Sequence, residues 1–193
     1  MKPIILFDID STLLNNAQIH ALTFRHLLSK IEGLSWRETL PDRQALGYLL
    51  FGKPEGFLES REAGRSFLSP DYYRDSLFED AIPTLKKLQG KADLGIFSQG
   101  PRRLQRAKLK QSGIEKYFDP ELVFIFPPRK ISKARQVIAR LPKTKIYFVD
   151  DRSSIAKELI NHRAQAFLIR RSNPSGSQEV PEIRSLREIL EFI

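Results

Sequence analysis

Ile4-Ile5-Leu6-Phe7-Asp8-Ile9-Asp10-Ser11-Thr12-Leu13, near the start of a chain of 193 residues, decides the fold. Four consecutive apolar residues read as a short strand covered on both faces, since a strand with one wet face alternates apolar and polar side chains. The carboxylates of Asp8 and Asp10 and the hydroxyl of Thr12 then follow at every second position. Two acidic groups placed directly after a buried strand stand at its C-terminal edge, which is where open parallel sheets bind ligands.

Four further apolar runs repeat the pattern, at residues 94–97, 122–126, 146–149 and 166–169. Helical faces lie between and after them: Ala134, Val137, Ile138 and Leu141 meet the i, i+3, i+4, i+7 spacing, as do Leu186, Ile189, Leu190 and Ile193. The last of these faces opens with a capping-box pair, Ser185 and Glu188. A further helix begins with Pro101 in its first turn and stops near Gly113. Strands alternating with helices predict an α/β fold, a Rossmann-like parallel sheet with helices on both faces and right-handed crossovers.

Residues 15–77 break the alternation. They contain no strand pattern, and a bare loop of that length is not expected in a compact domain. Phe24, Leu27, Leu28 and Ile31 fit one helical face, and Leu46, Leu49 and Leu50 begin another. Residues 57–63 and 71–76 read as shorter helices. The expected organisation is therefore an α/β core formed by residues 1–14 and 78–193, with a helical domain of residues 15–77 inserted after the first strand. Residues 171–182, rich in Ser, Pro and Gly, read as a loop.

Composition narrows the chemistry. The chain has no cysteine, so disulfides, thiolate zinc sites and iron–sulfur clusters are excluded. Three scattered histidines offer no zinc cluster, and a metal would be held by oxygen, which favours a hard cation. No stretch approaches the roughly 20 apolar residues of a membrane span. A cytoplasmic location with no membrane partner is the expectation. The net charge of +9 is compatible with anionic, phosphorylated ligands or with nucleic acid; the basic residues are scattered and form no long run.

Asp150 and Asp151 follow the fourth strand as Asp8 follows the first. If the sheet brings those strand ends together, four carboxylates crowd one space, and a divalent cation, Mg²⁺ by preference, offsets their repulsion. After the second strand come Ser98, Gln99 and Gly100 and then a helix, where a hydroxyl and free N–H groups make an anion site, although a simple Ser N-cap has the same local sequence. Lys130 lies between the third strand and the following helix, with Lys133 as its competitor. An ammonium in that position can neutralise a phosphate and a nucleophilic carboxylate together.

Taken in order, residues 7–13, residues 96–100, Lys130 and residues 148–151 resemble the four signature motifs of the haloacid dehalogenase superfamily. The inserted helices resemble the small helical cap of that superfamily's first cap class. The resemblance implies a Mg²⁺-dependent phosphohydrolase acting on a small phosphorylated metabolite. Asp8 would be the nucleophile, giving an aspartyl phosphate, and Asp10 the acid and base. Ser98, Gln99 and Lys130 would hold the phosphoryl group. The ion would sit on Asp8, the backbone carbonyl of Asp10, and one or both of Asp150 and Asp151. Members that cleave carbon–halogen bonds resemble this chain at the nucleophile but lack an acid two residues on. Three positions depart from the family pattern: Ser11 stands where glycine is common, Ile131 where proline commonly follows the lysine, and the spacing from Asp150 to Ile155 is one residue short. Two other readings are a phosphotransferase or mutase using the same residues, and a basic nucleic-acid-binding module without catalysis.

Overall fold

The computed structural model describes residues 1–31, 72–126, 133–159, 164–171 and 180–193. The expected helical faces at residues 46–52 and 57–63, and Lys130, lie outside the described residues. In chain order the elements are β1 (Ile4–Phe7), α1 (Asn16–Ile31), α2 (Tyr72–Asp75), α3 (Ala81–Leu88), β2 (Asp93–Gln99) and α4 (Arg102–Gln111). Then follow β3 (Val123–Phe126), α5 (Ala134–Arg140), β4 (Ile146–Asp150), α6 (Ser153–Leu159), β5 (Ala164–Ile169) and β6 (Glu182–Ile183).

The six strands form one parallel sheet in the order β3-β2-β1-β4-β5-β6. The chain builds outward from β1 through β2 to β3, then crosses back to lay β4 on the other side of β1. The crevice between β1 and β4 is thus the switch point at which such sheets bind ligands. Every residue of β1 is buried. Ile5 and Phe7 join a cluster on one face with Ile96, Val149 and Leu109, while Ile4 and Leu6 join one on the other with Phe148, Val137 and Ile155. The uninterrupted apolar run is explained by this two-sided burial; each such side chain contributes about 1.5–3 kcal/mol. β2 must lie close to its neighbours at Gly95, where a Cβ would come within 2.6 Å of Leu6 Cδ2.

Several boundaries differ from the sequence expectation for identifiable reasons. Leu122 belongs to a 3₁₀ turn, Pro120–Leu122, entered through Asp119, whose side chain accepts the N–H of Glu121. β5 begins at Ala164, where only Gln165 is exposed. The Ser/Pro/Gly-rich segment ends in a sixth strand, because Glu182 and Ile183 pair with Leu168 and Ile169. The C-terminal face forms with its capping box in place, but it winds as a 3₁₀ helix over Leu186–Glu191. On α1, Leu27 is buried while Leu28 points to solvent, 43 % exposed. The chain leaves β1 and returns to α3 along a single seam. Leu14 bridges Leu77, Asn15 N–H donates to the Ser76 carbonyl at 2.8 Å, and Phe78 N–H donates to Leu13 at 3.1 Å.

Candidate active site

The register of the sheet assembles the acidic residues. Phe7 is level with Val149, so the residue after β1 meets the end of β4, and Asp8 N–H donates to the Val149 carbonyl at 2.9 Å. Asp8 and Asp150 are both 3 % exposed and Asp151 is half-buried. Carboxylate oxygens of these three residues lie within 4.8 Å of one another. Asp150 is oriented by its own turn, its Oδ1 accepting the Arg152 N–H at 2.9 Å. The Asp151 carbonyl accepts from Arg170 at 2.6 Å. Three hard oxygen donors, two of them buried, converge at a sheet edge, and that donor set fits a hard divalent cation.

Asp10 behaves differently from the other acidic residues. Its carboxylate lies outside this group and turns toward α4, where Lys108 Nζ donates to Oδ1 at 2.5 Å and Gln105 Nε2 donates to Oδ2 at 2.7 Å. Between the two aspartates and the buried Thr12, Ser11 adopts a φ of +60°. That left-handed conformation explains why glycine suits this position, since a Cβ there costs roughly 1–2 kcal/mol.

Ser98 stands inside β2, fully buried, and among the described residues its hydroxyl has no hydrogen-bond partner. The N-cap reading of Ser98 does not hold, because α4 begins at Arg102 with Pro101 as its cap residue. Gln99 is half-buried beside Ser98 and its carbonyl accepts from Gln105 at 2.9 Å. Lys133 immediately precedes α5.

Sequence reasoning missed Lys108 and Gln105. The signal was present in the stripe Leu104, Gln105, Lys108, Leu109 of the helix after Pro101, in which two polar residues interrupt an otherwise apolar face. It also missed a polar cluster that ties the first motif to the far end of the chain. Arg171 donates to the Thr12 carbonyl at 2.8 Å and to Asp80 Oδ2 at 3.0 Å, and lies over the ring of Phe78 at 3.6 Å. The same Asp80 oxygen accepts the Ser185 hydroxyl and the Leu186 N–H, each at 2.8 Å. Burial alone pushes the Asp80 carboxyl up. The hydrogen bonds from Arg171, Ser185 and Leu186 and the Arg171 charge outweigh that effect and hold it below its ordinary value.

A six-stranded parallel sheet with three carboxylates converging at its switch point is an α/β fold with a candidate ligand site at the C-terminal edge of its strands. The sequence profile of the haloacid dehalogenase-like hydrolases matches residues 3–157, and the chain belongs to that family. No curated protein matches the sequence at a significant level. Among solved structures, a protein assigned as a haloacid dehalogenase-like hydrolase from Burkholderia xenovorans is 20% identical, with a TM-score of 0.67 over 98% of this chain and 95% of its own. The HAD-hydrolase YfnB of Bacillus subtilis, bound to magnesium, is 18% identical with a TM-score of 0.67 over 99% and 98%. The L-2-haloacid dehalogenase of Xanthobacter autotrophicus is 17% identical with a TM-score of 0.62 over 100% and 98%. These likenesses establish the fold. Among the described residues no helix is long and apolar enough to cross a membrane.

Proposed function

We propose that this hydrolase is a Mg²⁺-dependent phosphohydrolase that cleaves a small phosphorylated metabolite through an aspartyl phosphate on Asp8. The observation that carries the reading is the division of labour among the acids. Asp8, Asp150 and Asp151 share one cluster, while Asp10 has its carboxylate outside it and held by donors from α4. A halide leaves without a proton, so a dehalogenase needs no acid for its leaving group. A phosphomonoesterase also needs an acid for the leaving oxygen and a base for the water.

In the first half-reaction the Asp8 carboxylate attacks phosphorus as the bond to the leaving oxygen breaks, and Asp10 gives its proton to that oxygen. In the second half-reaction water attacks the phosphoryl group, its proton passes to Asp10, and the Asp8 carboxylate is released. The Ser98 hydroxyl, buried and without a hydrogen-bond partner among the described residues, is suited to donate to a phosphoryl oxygen, with Gln99 beside it. Lys130 is proposed to neutralise the phosphoryl group from the segment before α5. The cation would be held by Asp8, Asp150 and Asp151 with the Asp10 carbonyl, and would supply charge stabilisation of the phosphoryl oxygens. The magnesium bound by the Bacillus subtilis protein supports that choice of ion. Residues 15–77 are proposed to form the cap that closes over the substrate and excludes water. The seam at Leu14 and Leu77 supports a hinge there.

The test is release of inorganic phosphate from a panel of phosphorylated metabolites with Mg²⁺, with and without chelator, for wild type and Asp8→Asn. Metal-dependent turnover that falls to a few per cent or less in a folded Asp8→Asn protein is expected. Turnover that survives the substitution would exclude Asp8 as nucleophile. Release of the phosphoryl group to an added alcohol in preference to water would instead favour the phosphotransferase reading.

A further inference from the structure

Two side chains of α4 reach Asp10, and nothing in the motif chemistry uses them. Lys108 is only 6 % exposed and Gln105 only 1 %. A lysine is rarely buried that far without a carboxyl partner, and here the partner is Asp10. Each carboxylate oxygen has its own donor: Lys108 Nζ on Oδ1 and Gln105 Nε2 on Oδ2. The two donors stand three residues apart, one helical turn, so a single rigid element clamps both oxygens and fixes the plane of the carboxyl group. The orientation of the Gln105 amide is determined as well. Its nitrogen faces two acceptors, Asp10 and the Gln99 carbonyl, which an amide oxygen could not satisfy. Gly100 completes the arrangement. Its φ is +152°, and a Cβ there would sit 2.7 Å from Gln105 Nε2, so the chain after β2 leaves open the space the amide occupies.

From this clamp we infer that Lys108 and Gln105 are positioning residues for Asp10, holding its carboxyl group where it exchanges a proton with the leaving oxygen of the substrate. The inference rests on the phosphohydrolase reading. Lys108 itself exchanges no proton in the scheme: the proton leaves Asp10 for the leaving oxygen and returns to Asp10 from the attacking water. General acid catalysis needs heavy atoms about 2.6–3.2 Å apart, and a carboxyl group free to rotate spends much of its time outside that range. Removing the clamp should therefore damage proton transfer and spare phosphoryl binding.

The discriminating experiment compares wild type, Lys108→Met and Lys108→Arg on phosphate monoesters whose leaving groups run from nitrophenol to a simple alkyl alcohol, with Mg²⁺ saturating. kcat/KM covers every step up to departure of the first product and does not register the later hydrolysis of the aspartyl phosphate. A nitrophenolate leaves without a proton, whereas an alkoxide requires one. Lys108→Met should lose about 10- to 100-fold in kcat/KM on the alkyl ester and less than about 3-fold on the nitrophenyl ester, with KM little changed. Lys108→Arg, which restores a donor, should recover part of the alkyl loss. Gln105→Met should show the same leaving-group pattern more weakly, and it carries the test if Lys108→Met does not fold. Equal loss on both esters would overturn the inference and make Lys108 a phosphoryl-binding or structural residue; no loss on either would overturn it too. Wild type that hydrolyses neither ester nor any metabolite would instead sink the phosphohydrolase reading itself.

Discussion

Replacing Asp151 by Asn tests the proposed metal centre without measuring turnover. Asp151 shares a cluster with Asp8 and Asp150 in which carboxylate oxygens lie within 4.8 Å of one another. At that distance one pair of unit charges repels by roughly 3.5 kcal/mol at an effective dielectric of about 20, and by roughly 0.9 kcal/mol in water. Asp151 is half-buried, so the solvent-screened end of that range is the safer guide. The substitution removes two of the three pairs, and the metal-free variant should gain about 2 kcal/mol. For a chain of this length that raises the melting temperature by about 4–8 °C. A divalent cation reverses the preference, because an ion at 100 times its dissociation constant stabilises the wild type by about 2.7 kcal/mol and a site short of one carboxylate by less. Thermal melts of both proteins, in chelator and across a Mg²⁺ titration, give the readout. The variant should melt higher in chelator and lose that lead as Mg²⁺ saturates the wild type. A variant that melts lower in chelator, or two proteins that shift in parallel with Mg²⁺, would refute the argument that these carboxylates repel one another until a cation joins them.

Two further outcomes follow from other parts of the site. The Asp80 carboxyl is held below the unfolded value of about 3.9, so its contribution to stability is present above that pH and is lost as the pH falls through the lowered native value. Urea denaturation should therefore find Asp80→Asn less stable by about 1.5–3 kcal/mol at pH 7, with the gap closing under acid conditions, and a gap that stays constant down to pH 3 would count against the linkage. For the lysine proposed to neutralise the phosphoryl group, Lys130→Ala should cost much more kcat/KM than Lys133→Ala, and the opposite order would transfer the role to Lys133.

The parts of the fold legible in the sequence were those fixed by short-range pattern. Residues 4–7 carry no polar side chain, and only two-sided burial tolerates that, so a central strand was readable. The same argument found β2 and β4, and the Ser185 and Glu188 spacing announced a cap that the structure forms. What escaped depends on partners distant in sequence. Glu182 and Ile183 become a strand only because Leu168 and Ile169 offer an open edge. Lys108 reads locally as one more solvated lysine, and its burial depends on Asp10, 98 residues away in the chain. Arg171 and Asp80 likewise meet only after folding, across 91 residues. At the site, the aspartates were readable because strand ends are readable, whereas the donors that orient Asp10 come from a helix face whose apolar stripe they interrupt.

The seam at Leu14 and Leu77 has an evolutionary consequence. Both crossings between β1 and the rest of the core lie side by side, stitched by backbone hydrogen bonds that specify no side chain. Closing a longer or shorter excursion on such a seam changes the closure entropy by only about 0.6 kcal/mol for each doubling of length. A lineage can therefore lengthen, trim or exchange what lies between the stitches while the aspartates at the sheet edge stay in register, so the carboxylate cluster and the intervening segment can evolve at different rates.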